Sequence, residues 1–189
     1  MLAQIFISTI QILSAFYMTI VLLRFLLQVA KADFYNPISQ FVVKATNPLL
    51  LPLRKIIPGF GGFDIAGLVL ALLLQALVYF LIFLAAGTAI LNPLTLLGWS
   101  AITLLALVTK IYFWAIIAVI ILSWVAQGSY HPAIQLLHQL TEPIMAPFRK
   151  LLPPLGGLDL SPILVFLILN VVEIVIAELS RQVGLPAIF

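Results

Sequence analysis

The chain repeats itself at an offset of 95 residues, and this constrains its fold more than any other feature. Residues 37–64 and 132–159 agree at eleven of 28 positions. Pro37 meets Pro132, Gln40 meets Gln135 and Thr46 meets Thr141. Pro48, Pro52 and Pro58 meet Pro143, Pro147 and Pro153. Arg54-Lys55 meets Arg149-Lys150, Gly61-Gly62 meets Gly156-Gly157, and Asp64 meets Asp159. Most of these are Pro, Gly or charged residues, so shared hydrophobicity cannot produce the match. A period of this kind marks a duplicated structural unit. The boundary expected between the two units separates residues 1–92 from 93–189.

Apolar runs flank each copy of the motif. Hydrophobic residues make up 64% of the 189-residue chain and charged residues 8%, against about 25% charged in a soluble domain. Runs of about 18 or more apolar residues have the length a bilayer requires. Each unit therefore reads as span, loop, span, with spans at roughly 2–30, 64–87, 94–127 and 160–179. The expected fold is all-α, with about four transmembrane helices in two parallel repeats. Segment 94–127 would be about 50 Å long as one helix, against a hydrocarbon core of about 30 Å. It is either one tilted span, a span kinked near Gly98, or a span plus an interfacial helix, and a five-span reading also stands. Met1 leads directly into an apolar segment with no basic stretch before it, so we read that segment as a retained span.

Charge sets the orientation. Six of the nine Lys and Arg lie in loops 31–63 and 128–160, and the connection 88–93 has none. The positive-inside rule puts both loops in the cytoplasm and both termini outside. The net charge of +3 comes without a basic tail, so nucleic acid is not an expected partner. No cysteine is present, which excludes disulfides and thiolate chemistry.

Each loop opens with a helix signal, Asn36-Pro37 or His131-Pro132, with Pro at a first helical position. Apolar residues then follow at helical spacing, which describes a short amphipathic helix. It either lies in the membrane interface or packs on neighbouring spans. Three prolines in the next 11 residues (Pro48, Pro52, Pro58; Pro143, Pro147, Pro153) are expected to prevent a long regular helix. Arg54, Lys55, Arg149 and Lys150 either only orient the protein or also bind anionic headgroups or a partner. Gly61-Gly62 and Gly156-Gly157 supply sharp turns. Asp64 and Asp159 precede apolar runs and are expected to cap them, with pairing to Arg54 and Arg149 as the alternative.

The doubled pattern Asn-Pro…Thr-x-Pro-x-x-x-Pro-x-Arg-Lys-x-x-Pro…Gly-Gly-x-Asp resembles the YggT family, also called YlmG. The second copy departs from it at His131, Glu142 and Pro154. The resemblance implies a bacterial inner-membrane protein. It carries links to osmotic-stress tolerance, potassium uptake, division and envelope organisation, and in plastids to haem-cytochrome maturation and nucleoid distribution.

Polar residues inside the spans are candidates for function. Lys110 and Glu173 sit at similar depths, about 25 Å and 21 Å from the loop side. They either pair between the third and fourth spans or snorkel to the outer interface. Arg24, near the cytoplasmic end of its span, is expected to snorkel to headgroups. Gln75 and Asn170 are repeat counterparts. They either hold helices together or, with Glu173, line an ion path. His131 and His138 fit capping and surface roles. No P-loop, zinc motif or nucleophile elbow occurs, so neither catalysis nor a cofactor or metal is expected. Two functions remain. One is a membrane scaffold or assembly factor whose loops bind anionic lipid or a membrane or division protein. The other is a potassium or osmolyte transporter or channel, in which four spans would need a homo-oligomer to enclose a pore.

Overall fold

The structure is a computed structural model, and it describes residues 1–59, 64–88, 92–126, 129–151 and 159–186. Gly61, Gly62, Pro153, Gly156 and Gly157 lie outside the described residues. All regular structure within them is helical: α1 (Leu2–Val29), α2 (Pro37–Arg54), α3 (Ile65–Ala85), α4 (Pro93–Val125), α5 (Pro132–Leu151) and α6 (Ser161–Gln182). Four of the six, α1, α3, α4 and α6, are long and apolar enough to cross a membrane. A helix satisfies its own backbone there, which lipid cannot do. Within segment 94–127, the residues up to Val125 form one helix, continuous through Gly98.

Each repeat packs the same way. The first span pairs with the second (α1 with α3, α4 with α6), and the intervening helix lies against both. The repeats join mainly through α3 against α4, and α2 touches α5. Met18, Val21 and Leu22 of α1 meet Ala71 and Leu104 at mid-bundle. Beside α5, Leu136, Leu140 and Met145 meet Tyr112, Ile116 and Val165. At the opposite end Trp99 lies between Tyr79 and Phe83 and donates from Nε1 to the Val183 carbonyl at 3.0 Å. The first half of α1 is largely exposed, including Leu2, Ile5, Phe6, Ile12, Leu13 and Phe16.

Helix ends follow local chemistry. Asn36 accepts from the Ile38 amide at 2.9 Å, and Asn92 accepts from Leu94 at 2.9 Å. His131 caps α5 through Nδ1, accepting from Ala133 at 3.2 Å. At the end of α1 the Ala32 amide reaches the Leu27 carbonyl at 2.9 Å and Lys31 reaches Gln28 at 3.0 Å. This Schellman closure puts Lys31 at φ 52°, a conformation that favours glycine.

The expectation for the prolines fails. The prolines do not stop the loop helices: α2 runs through Pro48 and Pro52, and α5 through Pro143 and Pro147. Their spacing of four explains it. Each proline removes one amide and disturbs the carbonyl four residues back. Lys44, Pro48 and Pro52 share one face, and all three are exposed. The carbonyls left without a helical donor are thus on the outer side, where water or headgroups can serve them. The inner stripe of Ser39, Val42, Thr46 and Leu50 stays buried.

Candidate functional site

Helices α2 and α5 sit together at one end of the bundle. The Asn36 side chain joins them: its Oδ1 caps α2, while its Nδ2 donates to the Pro132 carbonyl at 2.7 Å. The Asp33 amide donates to Gln139 Oε1 at 2.9 Å. The matched glutamines act alike, Gln40 and Gln135 each donating back to a carbonyl before their own helix, Phe34 and Tyr130.

The Arg and Asp of the motif meet in both repeats. Arg54 engages Asp64 with two nitrogens, Nη2 to Oδ2 at 2.6 Å and Nε to Oδ1 at 3.3 Å. Such side-on pairing is geometrically specific. The same Oδ1 accepts from the Gly67 amide at 3.1 Å, capping α3. A Cβ at position 67 would lie 2.9 Å from Asp64 Oδ2, so the close approach requires glycine. In the second repeat Arg149 bonds Asp159 from Nε at 3.1 Å and Glu142 from Nη1 at 2.6 Å. Pro162 stands opposite Gly67 and has no amide to give, and Asp159 accepts instead from the Ser161 amide at 2.9 Å, one residue ahead of the α6 cap position at Leu160. Asp64 therefore caps and pairs, whereas Asp159 pairs and holds the Ser161 amide without occupying the cap position.

Burial differs between the pairs. The Asp64 side chain is 2% exposed and that of Asp159 42%. Partial burial pushes the Asp159 carboxyl up, but bonds from Ser161 and Arg149 outweigh it and hold the group below its ordinary value. Burial likewise pulls the Arg149 guanidinium down, and its bonds to Asp159 and Glu142 raise it above its ordinary value. Both motif arginines are thus held by carboxylates. Lys55 and Lys150 beside them are exposed and have no ion-pair partner among the described residues.

Arg24 does not snorkel. It is 6% exposed, and its Nη1 reaches three acceptors on α2: Thr46 Oγ1 at 2.6 Å, Asn47 Oδ1 at 2.9 Å and the Val43 carbonyl at 3.3 Å. The acceptors belong to the same chain, so the guanidinium need not travel to the headgroups. It ties α2 to α1. Sequence reading passed over Thr46 and Asn47 in this role. Their signal was a threonine kept in both copies beside an Asn that becomes Glu142.

Several polar residues of the spans share a cavity of about 610 Å³. Gln75, Tyr79, Thr103, Lys110 and Glu173 all line it. Tyr79 Oη and Thr103 Oγ1 are 2.6 Å apart. Gln75 is 2% exposed, and its Nε2 has no hydrogen-bond partner among the described residues. Lys110 and Glu173 face this one space but form no ion pair within 4.0 Å. Asn170, the counterpart of Gln75, is instead exposed on the outside of α6.

Four apolar spans, two like-oriented repeats and a paired helical layer at one end define a multi-pass, all-helical membrane protein. The CCB3/YggT family model matches residues 3–85 and 98–180, once on each repeat. The chain belongs to this family. Among its relatives is the Pseudomonas aeruginosa protein PA0392, 53% identical over 179 residues, 94% of this chain and 91% of the relative. Escherichia coli K12 YggT is 38% identical over 170 residues, 89% of this chain and 87% of the relative. A chloroplastic YlmG homolog of Arabidopsis thaliana is 48% identical over 62 residues, 32% of this chain and 24% of the relative. No solved structure matches.

Proposed function

We propose that the protein is a non-enzymatic scaffold or assembly factor of the bacterial inner membrane, acting in envelope organisation under osmotic stress. The observation that carries this reading is the joined pair α2–α5, bonded through Asn36 to Pro132 and Asp33 to Gln139. It is a hydrogen-bonded layer of two helices with exposed lysines at its ends. The charge bias of the loops supports a cytoplasmic position for the layer and outer termini. Its amphipathic helices then lie in the interface, where Lys55 and Lys150 meet anionic headgroups or an acidic partner edge. The layer is duplicated, which suits a bivalent grip.

The test is a Lys55→Glu, Lys150→Glu variant, with photocrosslinkers at the neighbouring Ile56 and Leu151. The charge reversal is expected to cut both retained anionic lipid and partner crosslinks about thirtyfold, by removing roughly 1 kcal/mol for each of the two lysines near the surface. Unchanged lipid retention and crosslinks, together with full osmotic tolerance in cells, would sink the scaffold reading.

The cavity holding Gln75, Lys110 and Glu173 favours one second reading, a potassium or osmolyte path, completed by association of several copies. Potassium flux into proteoliposomes decides it. Flux that a Lys110→Leu, Glu173→Leu variant loses supports transport. Flux no greater than in empty vesicles, with correctly inserted protein, removes it.

A further inference from the structure

The two repeats differ at one buried position. In the first, Arg24 fills the space beneath α2 with its guanidinium. Its counterpart 95 residues on is Val119, which stops short of that space. A cavity of about 380 Å³ opens there between α4, α5 and α6. Its walls include Val119, Thr141, Arg149 and Asp159, the counterparts of Arg24, Thr46, Arg54 and Asp64.

The acceptors are kept in place. Thr46 Oγ1 donates to the Val42 carbonyl at 2.8 Å and approaches Val43 at 3.3 Å. Thr141 Oγ1 repeats this with Leu137 at 2.9 Å and His138 at 3.3 Å. The two hydroxyls thus make the same bonds within their own helices. The third acceptor changes from Asn47 to Glu142, and with it the charge. In the first repeat the guanidiniums of Arg24 and Arg54 face one carboxylate, Asp64. In the second, the single guanidinium of Arg149 faces two, Glu142 and Asp159. The second site thus has one guanidinium fewer and one carboxylate more than the first. Trp124, 71% exposed at the cavity, adds an aromatic face to which a cation is attracted.

We propose that the cavity between α4, α5 and α6 binds a guanidinium group supplied from outside the chain, seated where Arg24 sits in the first repeat. Thr141 Oγ1 and the His138 carbonyl, both of wall residues, accept its hydrogen bonds, and Glu142, next to Thr141 but outside the wall residues, takes the place of Asn47. Glu142 uses the oxygen that Arg149 leaves, since a carboxylate has lone pairs for several donors. A planar fork matches acceptors spread in this way better than a compact ammonium does. The group comes either from a small molecule or from an arginine side chain of another protein. The inference does not rest on the scaffold reading.

Full-length protein in nanodiscs is titrated calorimetrically with ethylguanidinium, with methylammonium, and with a short peptide bearing one arginine. Ethylguanidinium is expected to bind saturably, about tenfold more tightly than methylammonium, the ratio that one charge-assisted bond supplies. Val119→Arg supplies the group internally and is expected to abolish binding and raise the melting temperature. Glu142→Gln is expected to weaken binding about tenfold by the same reasoning, and it serves if Val119→Arg does not fold. A peptide that binds more than about tenfold tighter than ethylguanidinium, a gap of 1.4 kcal/mol, identifies a protein partner. Equal affinities identify a small molecule. No saturable binding of ethylguanidinium, or binding that both variants leave unchanged, overturns the proposal.

Discussion

The loop helices of the two repeats share a frame and diverge in what surrounds it. On α2 the first repeat is closed: Arg24 is buried against Thr46, Asn47 and the Val43 carbonyl, and Asp64 is buried under Arg54. On α5 the second repeat is open. Val119 leaves a cavity, Asp159 is half-exposed, and Arg149 divides its bonds between Asp159 and Glu142. The same Pro, Thr, Arg and Asp positions build both. Duplication here preserves the backbone framework, and substitutions at 24/119, 47/142 and 67/162 decide whether the framework is sealed or accessible.

Removing the seal has the largest expected effect. Arg24→Leu is expected to destabilise the protein by about 2–3 kcal/mol, the size of lost bonds to a charged donor. Val119→Leu adds one methylene beside an open cavity and should change stability by less than about 1 kcal/mol. Equal losses, measured as unfolding in nanodiscs, would show that the two sites are not inequivalent. Next come the acids. Asp64→Asn leaves Arg54 facing a neutral group in a buried setting and is expected to cost about 2 kcal/mol. Asp159→Asn, at an exposed pair, is expected to cost under about 1 kcal/mol.

The smallest effect is on pH dependence. The folded Asp159 carboxyl lies below its ordinary value. Its contribution is therefore complete above the ordinary aspartate pKa of about 3.9 and is lost as pH falls through the lower folded value. Exposure of 42% and solvent screening keep it below about 1 kcal/mol. Acid unfolding of wild type and Asp159→Asn should differ at neutral pH and converge at the acid end.

Spans and repeats were legible in the sequence because bilayer length and an offset of 95 are one-dimensional signals. The caps at Asn36 and His131 were legible too, since a cap acts within three residues. The prolines misled because their effect depends on which face they share, and only the packed helix shows that Lys44, Pro48 and Pro52 face outward. Arg24 misled for a related reason. A span-end arginine finds headgroups by default, and its acceptors lie 19 to 23 residues away on another helix. Lys110, Glu173 and Gln75 stood out as polar residues within spans and line one cavity, but depth along a helix says nothing of facing direction. Two counterparts, Gln75 and Asn170, ended on opposite sides of the packing.

The spans also differ in length. At about 1.5 Å per residue, the 28 residues of α1 and 33 of α4 reach roughly 42 and 50 Å, whereas the 21 of α3 and 22 of α6 reach about 32 and 33 Å. Each repeat thus pairs one helix longer than the hydrocarbon core with one that fits it. Lipids around the bundle meet uneven edges, and the long helices must tilt or thicken the bilayer beside them. Bilayer thickness therefore acts directly on the angle between the helices of each pair, and the composition of the surrounding leaflet becomes one of the forces that set the shape of the protein.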